Sequence, residues 1–435
     1  MEKIRVGIFG LRRGGGYFNS IVENNGEIVA ICDFDKDSVE LTAEQLGNKP
    51  AKYTDFDSFI QHPMDAVLLF NFFHEHAKYA IACLEKGIHV LSECTANSTL
   101  AEGVALVRAA EKSSAHYMLA ENYPFMLFNQ EMKRVYEGGT LGKVLFAEGE
   151  YNHAGNPNDT KGAPIFTTFE RHWRAYLPRT YYITHSLAPI MYATGSNPVR
   201  VTAFPIYKPS NNPNSCSCSQ VADRAAIVTC LNDDNSVFRV TGHASFGASD
   251  NSYRLCCEKG QIENVRGTED MVMLRYNPWD LPEGKEVNNF YKPEWNDKDA
   301  DKIEKAGHGG GDFFVIRKFF ESIRENKRPD FDVYFATRLS SVAIMAHRSV
   351  LANGMPYDIP DFRREEDRVK YENDHTTPFW STDGKAPNIP CCSHPDYRPS
   401  EQQLNNYRKA AEEHGGEKAL REMRRIQGFK LEEKK

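Results

Sequence analysis

Two short strings carry residue types whose spacing could do chemistry. The first is "IFGLRRGGGYF", residues 8–18, directly after an apolar run. A G-x-G-x-x-G fingerprint would place glycines at 10, 12 and 15; Gly10 and Gly15 comply, and Arg12 takes the second place. That second glycine lets backbone approach a pyrophosphate, and Gly14 and Gly16 leave this loop room to shift instead. A helix beginning there offers free amides and the positive end of its dipole to phosphate. Alone, the string fits a tight glycine turn equally well. Asp33 tips the balance, ending the next apolar run 23 residues after Gly10. A carboxylate there accepts hydrogen bonds from the adenosine ribose hydroxyls and disfavours a 2′-phosphate. NAD is therefore the expected cofactor. NADP is the alternative, with Arg12 and Arg13 available to hold its extra phosphate.

The second string is "YYITHSLAP", with Tyr181, Tyr182 and His185. An imidazole titrating near neutrality suits proton transfer to or from a hydroxyl. A phenol can donate to a departing oxygen. Taken alone, a histidine at a helix start can be structural, and tyrosine packs in many clefts. "GHGGGD", residues 307–312, precedes a helical pattern, and its glycines would let backbone come close to a ligand. The bland reading is a flexible lead-in with Asp312 as helix cap. "ERHWRAY", residues 170–176, supplies Trp173, which could stack on a ring face or fill a core, and Arg174. His74 and His76 have a spacing that could suggest a metal, but no carboxylate cluster supports one, and no metal is expected.

The elements that must position these residues follow from the pattern. Up to about residue 125, β-branched runs at 4–9, 27–32, 65–70, 89–93 and 116–122 alternate with helical stretches. Continuous apolar strands between helices predict a parallel sheet covered on both faces, the doubly wound dinucleotide-binding architecture. Glu121 and Asn122 end the fifth run, where open α/β sheets bind ligands. After residue 142 the texture changes to strand-like segments, with "LNDDNS" as a hairpin turn. Two helices follow from residue 312. The expected division is a Rossmann domain at 1–125, an α/β domain with an open, largely antiparallel sheet at 126–362, and a polar extension at 363–435. The extension's final helix, 400–426, has a weak apolar face and reads as a solvated or subunit-wrapping appendage.

Composition excludes several classes. A net charge of −7 gives no electrostatic footprint for nucleic acid. No apolar run approaches the ~18 residues of a membrane span. "MEKIRVGIFG" lacks the parts of a secretory signal, so a cytoplasmic location is expected. The ten cysteines do not form a disulfide framework: 256 and 257 are adjacent, as are 391 and 392. They read as reduced thiols. A zinc site from Cys391, Cys392 and His394 would lack a fourth ligand.

The order of elements and the strings "RVGIFG", "VAICDFD", "HAKYAIACLEKGIHVLSE", "GTLGKVLFAEGEY" and "ITHSLAPIMYATG" resemble the glucose–fructose oxidoreductase, inositol dehydrogenase and MocA family (Gfo/Idh/MocA) over roughly residues 3–362. Within it, "YMLAENY", "YYITHSLAP", "GHGGGDF", "DFDVYFA" and "DIPDF" resemble the NAD-dependent glycosidases of glycoside hydrolase family 109. The resemblance implies a site between the two domains, over the nicotinamide, and packing of the open sheet against a second copy. It implies a catalytic role for His185 with Tyr182 and Tyr181. It puts Asn71, His76, Glu93 and Asn122 beside the cofactor, and Glu121, Trp173, Arg174 and His308 beside a sugar. Common dehydrogenases of the family carry a lysine in a Glu-Lys-Pro triplet where this chain reads Glu93-Cys94-Thr95. The glycosidase branch also lacks that lysine. Its strings are not fully matched either, since Cys94-Thr95 stands in place of Val-Pro, and Ser186 and Ala188 in place of glycines.

The resemblance implies hydride transfer between NAD and a sugar ring carbon, C3 in the expected case. In the glycosidase version that oxidation acidifies the C2 proton, the C1 substituent leaves by elimination, water adds and the ketone is reduced again. The alternatives are a plain sugar or polyol dehydrogenase that releases a ketosugar, and a non-catalytic nucleotide-binding regulator, because fold does not fix function.

Overall fold

The computed structural model describes residues 2–427 apart from 157, 158, 160, 211 and 269. Six strands form the first sheet: β1 (Ile4–Phe9), β2 (Gly26–Cys32), β3 (Ala51–Tyr53), β4 (Ala66–Leu69), β5 (His89–Ser92) and β6 (Tyr117–Leu119). All pair in parallel, in the order β3-β2-β1-β4-β5-β6. Val6, Ile8, Val67, Leu68, Val90 and Leu91 are fully buried, as a sheet covered on both faces requires. The expected doubly wound fold is therefore present. Strand order reverses between β1 and β4, which opens a crevice at their carboxyl ends. Gly10 follows β1, Asp33 follows β2 and Asn71 lies just past β4, so all three meet at that crevice.

Local differences have simple causes. β3 has three residues at the sheet edge, too few for an alternating pattern to register. The first helical stretch begins at Leu11, passes a 3-10 turn at Gly15–Tyr17 and continues over Phe18–Glu23. Glycines at 14–16 hide that start from a propensity reading. Helix Leu100–Lys112 is fixed by a capping box, in which Thr99 accepts from the Glu102 amide and Glu102 reaches back to the Thr99 amide.

The second sheet has nine strands: β7 (Val144–Asn152), β8 (Pro198–Tyr207), β9 (Asp223–Asn232), β10 (Val237–Thr241), β11 (Asp250–Cys257), β12 (Gly260–Asn264), β13 (Val272–Tyr276), β14 (Asn288–Tyr291) and β15 (Tyr357–Asp358). Their order is β14-β13-β12-β11-β7-β10-β9-β8-β15. Every neighbouring pair is antiparallel except β7 with β10. Helices Gly311–Glu325 and Val333–Leu351 return to the first sheet, and the Leu119 amide at its edge donates to the Phe331 carbonyl at 2.8 Å. One continuous apolar core runs through both sheets. Among the described residues no helix is long and apolar enough to cross a membrane.

The extension departs from the expected solvated or subunit-wrapping appendage; its residues 428–435 lie outside those described. It runs over its own chain. Arg368 pairs with Glu111, Phe379 is buried against Phe73, His74 and Tyr181, and His347 Nε2 meets the Pro390 carbonyl at 2.8 Å. Its last helix is two, Glu401–His414 and Gly416–Ile426, parted at Gly415. A polar composition concealed these contacts because ion pairs and carbonyl contacts, not an apolar stripe, make most of them.

Candidate active site

A cleft of about 500 Å³ opens at the switch point of the first sheet, lined by Gly10, Arg12, Arg13, Asp33, Asn71, His76, Glu93 and Cys94 on one wall. Trp173, Arg174 and Tyr182 contribute the other. The size suits a small-molecule cleft.

The glycine loop after β1 is shaped by backbone. Gly10 has φ +93°, and a Cβ there would lie 2.3 Å from the Phe70 carbonyl carbon and oxygen. Asp33 holds the loop from below, its Oδ2 accepting from the Leu11 amide at 2.8 Å and its Oδ1 from the Asp35 amide at 3.0 Å. Burial nevertheless lifts its pKa. A carboxylate has about four acceptor sites, so capacity for ribose hydroxyls remains. Arg12 Nη1 and Asn71 Oδ1 are buried without a protein partner. Unsatisfied polar atoms on and beside a glycine loop at a helix start fit a dinucleotide. Arg13 faces inward: its Nε donates to Glu93 Oε1 at 2.8 Å, and its Nη2 to the Tyr17 hydroxyl at 3.0 Å and Asp312 Oδ1 at 3.4 Å.

Deeper in, His185 is the second residue of helix Thr184–Thr194. Its Nδ1 lies 2.8 Å from Glu121 Oε1. Glu121 is wholly buried, and its Oε2 accepts from the Cys94 thiol at 3.1 Å. Burial pushes the Glu121 carboxyl up, but His185, the thiol and the Tyr123 amide outweigh it and hold it below the usual range. Glu121 is therefore a carboxylate that cannot donate, so the proton of the shared bond belongs to His185 Nδ1, and in the neutral ring Nε2 is the acceptor. Burial and the neighbouring carboxylates raise the Cys94 thiol well above its ordinary value, which keeps it protonated as a donor. Tyr123 stacks on the imidazole at 4.2 Å, Tyr151 lies 4.9 Å away, and Tyr182 meets it edge-on at 5.2 Å. The Tyr253 hydroxyl fixes the helix start through the His185 carbonyl at 2.6 Å.

The expected site residues divide accordingly. Tyr182 lines the cleft beside His185, whereas Tyr181 is buried, with its hydroxyl on the Ser98 carbonyl at 3.3 Å and its ring against His347 and Phe379. A 3-10 turn at Arg179–Tyr182 sends the two adjacent side chains apart. Glu121 serves the histidine rather than the open cleft. Glu93 lines the cleft while holding Arg13 and the Cys94 amide, the latter at 2.9 Å. His76 lines it too, with Nδ1 on the Thr95 carbonyl at 3.0 Å. Trp173 lies flat on Phe73 at 5.0 Å, and the Arg174 guanidinium lies 4.3 Å over its ring. Gly15 stands outside the cleft lining and packs against the C-terminal helix.

Asp312 is more than a helix cap. It accepts from Asn122 Nδ2 at 2.7 Å, meets His308 Nδ1 at 3.0 Å and pairs with Arg13. Burial opposes its charge, and these three partners overcome burial to keep it strongly acidic. Asn122 is thereby held off the cleft, while His308 stays half-exposed 6.0 Å from the Tyr123 ring. Sequence reasoning did not single out Tyr123 or Tyr151. The first follows the "AEN" at the end of β6 directly, the one positional signal that pointed to it.

Residues 4–121 match the oxidoreductase family with an NAD-binding Rossmann fold, and residues 268–368 match the C-terminal domain of glycosyl hydrolase 109. A glycosyl hydrolase family 109 protein of Saccharopolyspora erythraea is 25% identical over 398 residues, covering 83% of this chain and 84% of that one. One from Akkermansia muciniphila is 25% identical over 405 residues, 84% of each chain. Among solved structures, levoglucosan dehydrogenase in complex with NADH and L-sorbose is similar at a TM-score of 0.65 and 16% identity, over 83% of this chain and 100% of that one. Myo-inositol 2-dehydrogenase from Lactobacillus plantarum has a TM-score of 0.62 at 15% identity, over 82% and 100%.

Proposed function

The chain belongs to the Gfo/Idh/MocA oxidoreductase family, and from that premise we propose that it acts on a sugar or glycoside with NAD as its cofactor, as a redox-neutral glycosidase. On this reading residues 1–125 bind the cofactor, 126–362 hold the substrate and 363–435 form an extension. When bound, NAD supplies the hydride acceptor for a ring carbon, C3 here, and the means to restore that hydrogen after the C1 substituent has left.

The observation that carries the reading is the buried pair of His185 and Glu121. His185 Nε2 takes the proton of the hydroxyl being oxidised, and Glu121 stabilises the resulting imidazolium and fixes the ring's tautomer. Cys94 cannot replace a lysine as a charged group. It donates one neutral hydrogen bond to Glu121 and leaves the histidine as the proton acceptor. Tyr182 is kept protonated by burial and can donate to a departing oxygen. Glu121 and Asp312 are both buried and engaged, so neither is free to serve as the acid or nucleophile of ordinary glycoside hydrolysis.

Turnover of aryl glycosides in heavy water tests this. Deuterium should appear at C2 of the released sugar, the C3 hydrogen should be retained, and no reduced cofactor should accumulate. One equivalent of NADH per ketosugar, with the glycosidic bond intact, would make the protein a plain dehydrogenase.

The choice of NAD rests on Asp33. Asp33→Ala removes a charge-assisted acceptor worth about 1.5–3 kcal/mol and should weaken NAD roughly 10- to 100-fold by calorimetry, with NADP weakened less. Preference for NADP in the unaltered protein, with Asp33→Ala silent, would reverse the assignment.

A further inference from the structure

The cleft has a third wall, made by the C-terminal helix. Met423 and Gln427 line it together with Asp33, Phe34 and Arg12, at the end where the adenosine half would lie. Gln427 Nε2 donates to the Arg12 carbonyl of the phosphate loop at 2.6 Å. Arg424 is completely buried: its Nη2 donates to Thr42 Oγ1 at 2.6 Å, its Nη1 to Gln427 Oε1 at 3.1 Å, and its guanidinium lies 5.6 Å over the Phe18 ring. The close approach needs the glycine at 15, where a Cβ would fall 1.6 Å from Arg424 Nη1.

The helix is attached so that it could move as a unit. The preceding helix, Glu401–His414, is anchored by Tyr407 to the Thr167 carbonyl at 2.5 Å, by Arg408 to Glu170 at 2.7 Å and by Gln403 to the Asn212 carbonyl at 3.2 Å. Between the two lie Gly415 and Gly416, the latter at φ +60° with open space where a Cβ would stand. Beyond that joint the buried residues are Ala419, Leu420 and Arg424, while Glu417 with Arg421 and Glu422 with Arg425 pair along the helix itself. Arg424 and Gln427 tie it to the Rossmann unit through Thr42 and the Arg12 carbonyl.

We propose that helix Gly416–Ile426 and Gln427 are part of the dinucleotide site, a gate over the adenosine end that lifts at Gly415–Gly416 for cofactor to enter or leave. The proposal rests on the cofactor reading above and deepens it: a reaction that restores its own cofactor gains from one that stays bound between turnovers.

The test uses the full chain and NADH, whose fluorescence reports release when chased with excess NAD. Arg424→Ala and Gln427→Ala should each speed NADH release at least tenfold and speed its binding in the same direction, so affinity moves less than either rate. In the unaltered protein, saturating NAD should slow amide hydrogen exchange across 417–427, a readout that stands even if a variant folds poorly. Release within twofold of wild type in both variants, with no change in exchange, overturns the gate and leaves the cofactor reading standing. Faster release at an unchanged binding rate makes these residues simple contacts and also overturns it. Failure of the unaltered protein to bind NADH overturns both.

Discussion

His185→Asn should lower turnover by about 10²-fold or more, the usual reach of general acid–base catalysis, while NAD affinity by calorimetry stays within about threefold of wild type. Asparagine keeps a hydrogen bond toward Glu121 but has no group that accepts a proton near neutrality. The affinity should hold because His185 belongs to the inner aromatic cluster of Tyr123, Tyr151 and Tyr182, away from the phosphate loop. Cys94→Ala is the contrasting variant. It removes one thiol donor from Glu121 Oε2 and leaves the His185 bond in place, so its loss should stay below about tenfold. If Cys94→Ala is as inactive as His185→Asn, the thiol takes part in the chemistry. If His185→Asn retains a third of its activity, the proton acceptor is another group.

Gly10→Ala should abolish detectable NAD binding and destabilise the fold. At φ +93° an L-residue is strained by about 1–2 kcal/mol, and the new methyl would meet the Phe70 carbonyl at 2.3 Å and the Asn71 amide nitrogen at 2.5 Å. Those atoms are backbone at the end of β4 and cannot rotate away as a side chain would. Overpacking against a rigid neighbour adds about 1–3 kcal/mol. Urea denaturation should register the sum, and calorimetry the lost binding, because the displaced loop is the one that faces the cofactor. Gly16→Ala serves as control: it has ordinary helical backbone, and its nearest neighbour is the flexible Arg13 side chain at 3.2 Å. A Gly10→Ala protein that binds NAD within threefold of wild type would separate the loop from the cofactor.

Much of this was legible in the sequence, for identifiable reasons. Strands β1, β2, β4 and β5 announce themselves because their central residues are buried on both faces and form short apolar runs. Asp33 and Gly10 are legible because their distance along the chain reflects one βαβ unit. Roles that depend on partners far away in sequence were not. Asp312 reads as a helix cap until Arg13, 299 residues earlier, is seen to reach it. Glu121 lies at the right strand end for a ligand contact, yet it is fully occupied by His185, 64 residues on, and Cys94, 27 residues back. Tyr181 and Tyr182 are equivalent as letters, and only the turn between them decides which one reaches the cleft. The C-terminal helices read as a solvated appendage because Arg424 looks like a surface residue in any sequence pattern, and its burial depends on the bare Cα of Gly15.

The parallel pairing of β7 with β10 bears on how the chain assembles as it is synthesised. β7 sits at the middle of its sheet, yet its partners β10 and β11 emerge roughly ninety and roughly a hundred residues later. A strand so placed must wait, with an unpaired apolar edge, for long-range closure of the kind that slows folding. The first sheet is nearly self-contained, since five of its six strands need only neighbours from the first hundred residues. It can form early and give the waiting strand a surface to lie near. Its last edge closes later, when the Leu119 amide finds the Phe331 carbonyl. The nascent chain would therefore own a nucleotide fold well before it owns a substrate wall, and the interval between the two is when it depends most on protection from other chains.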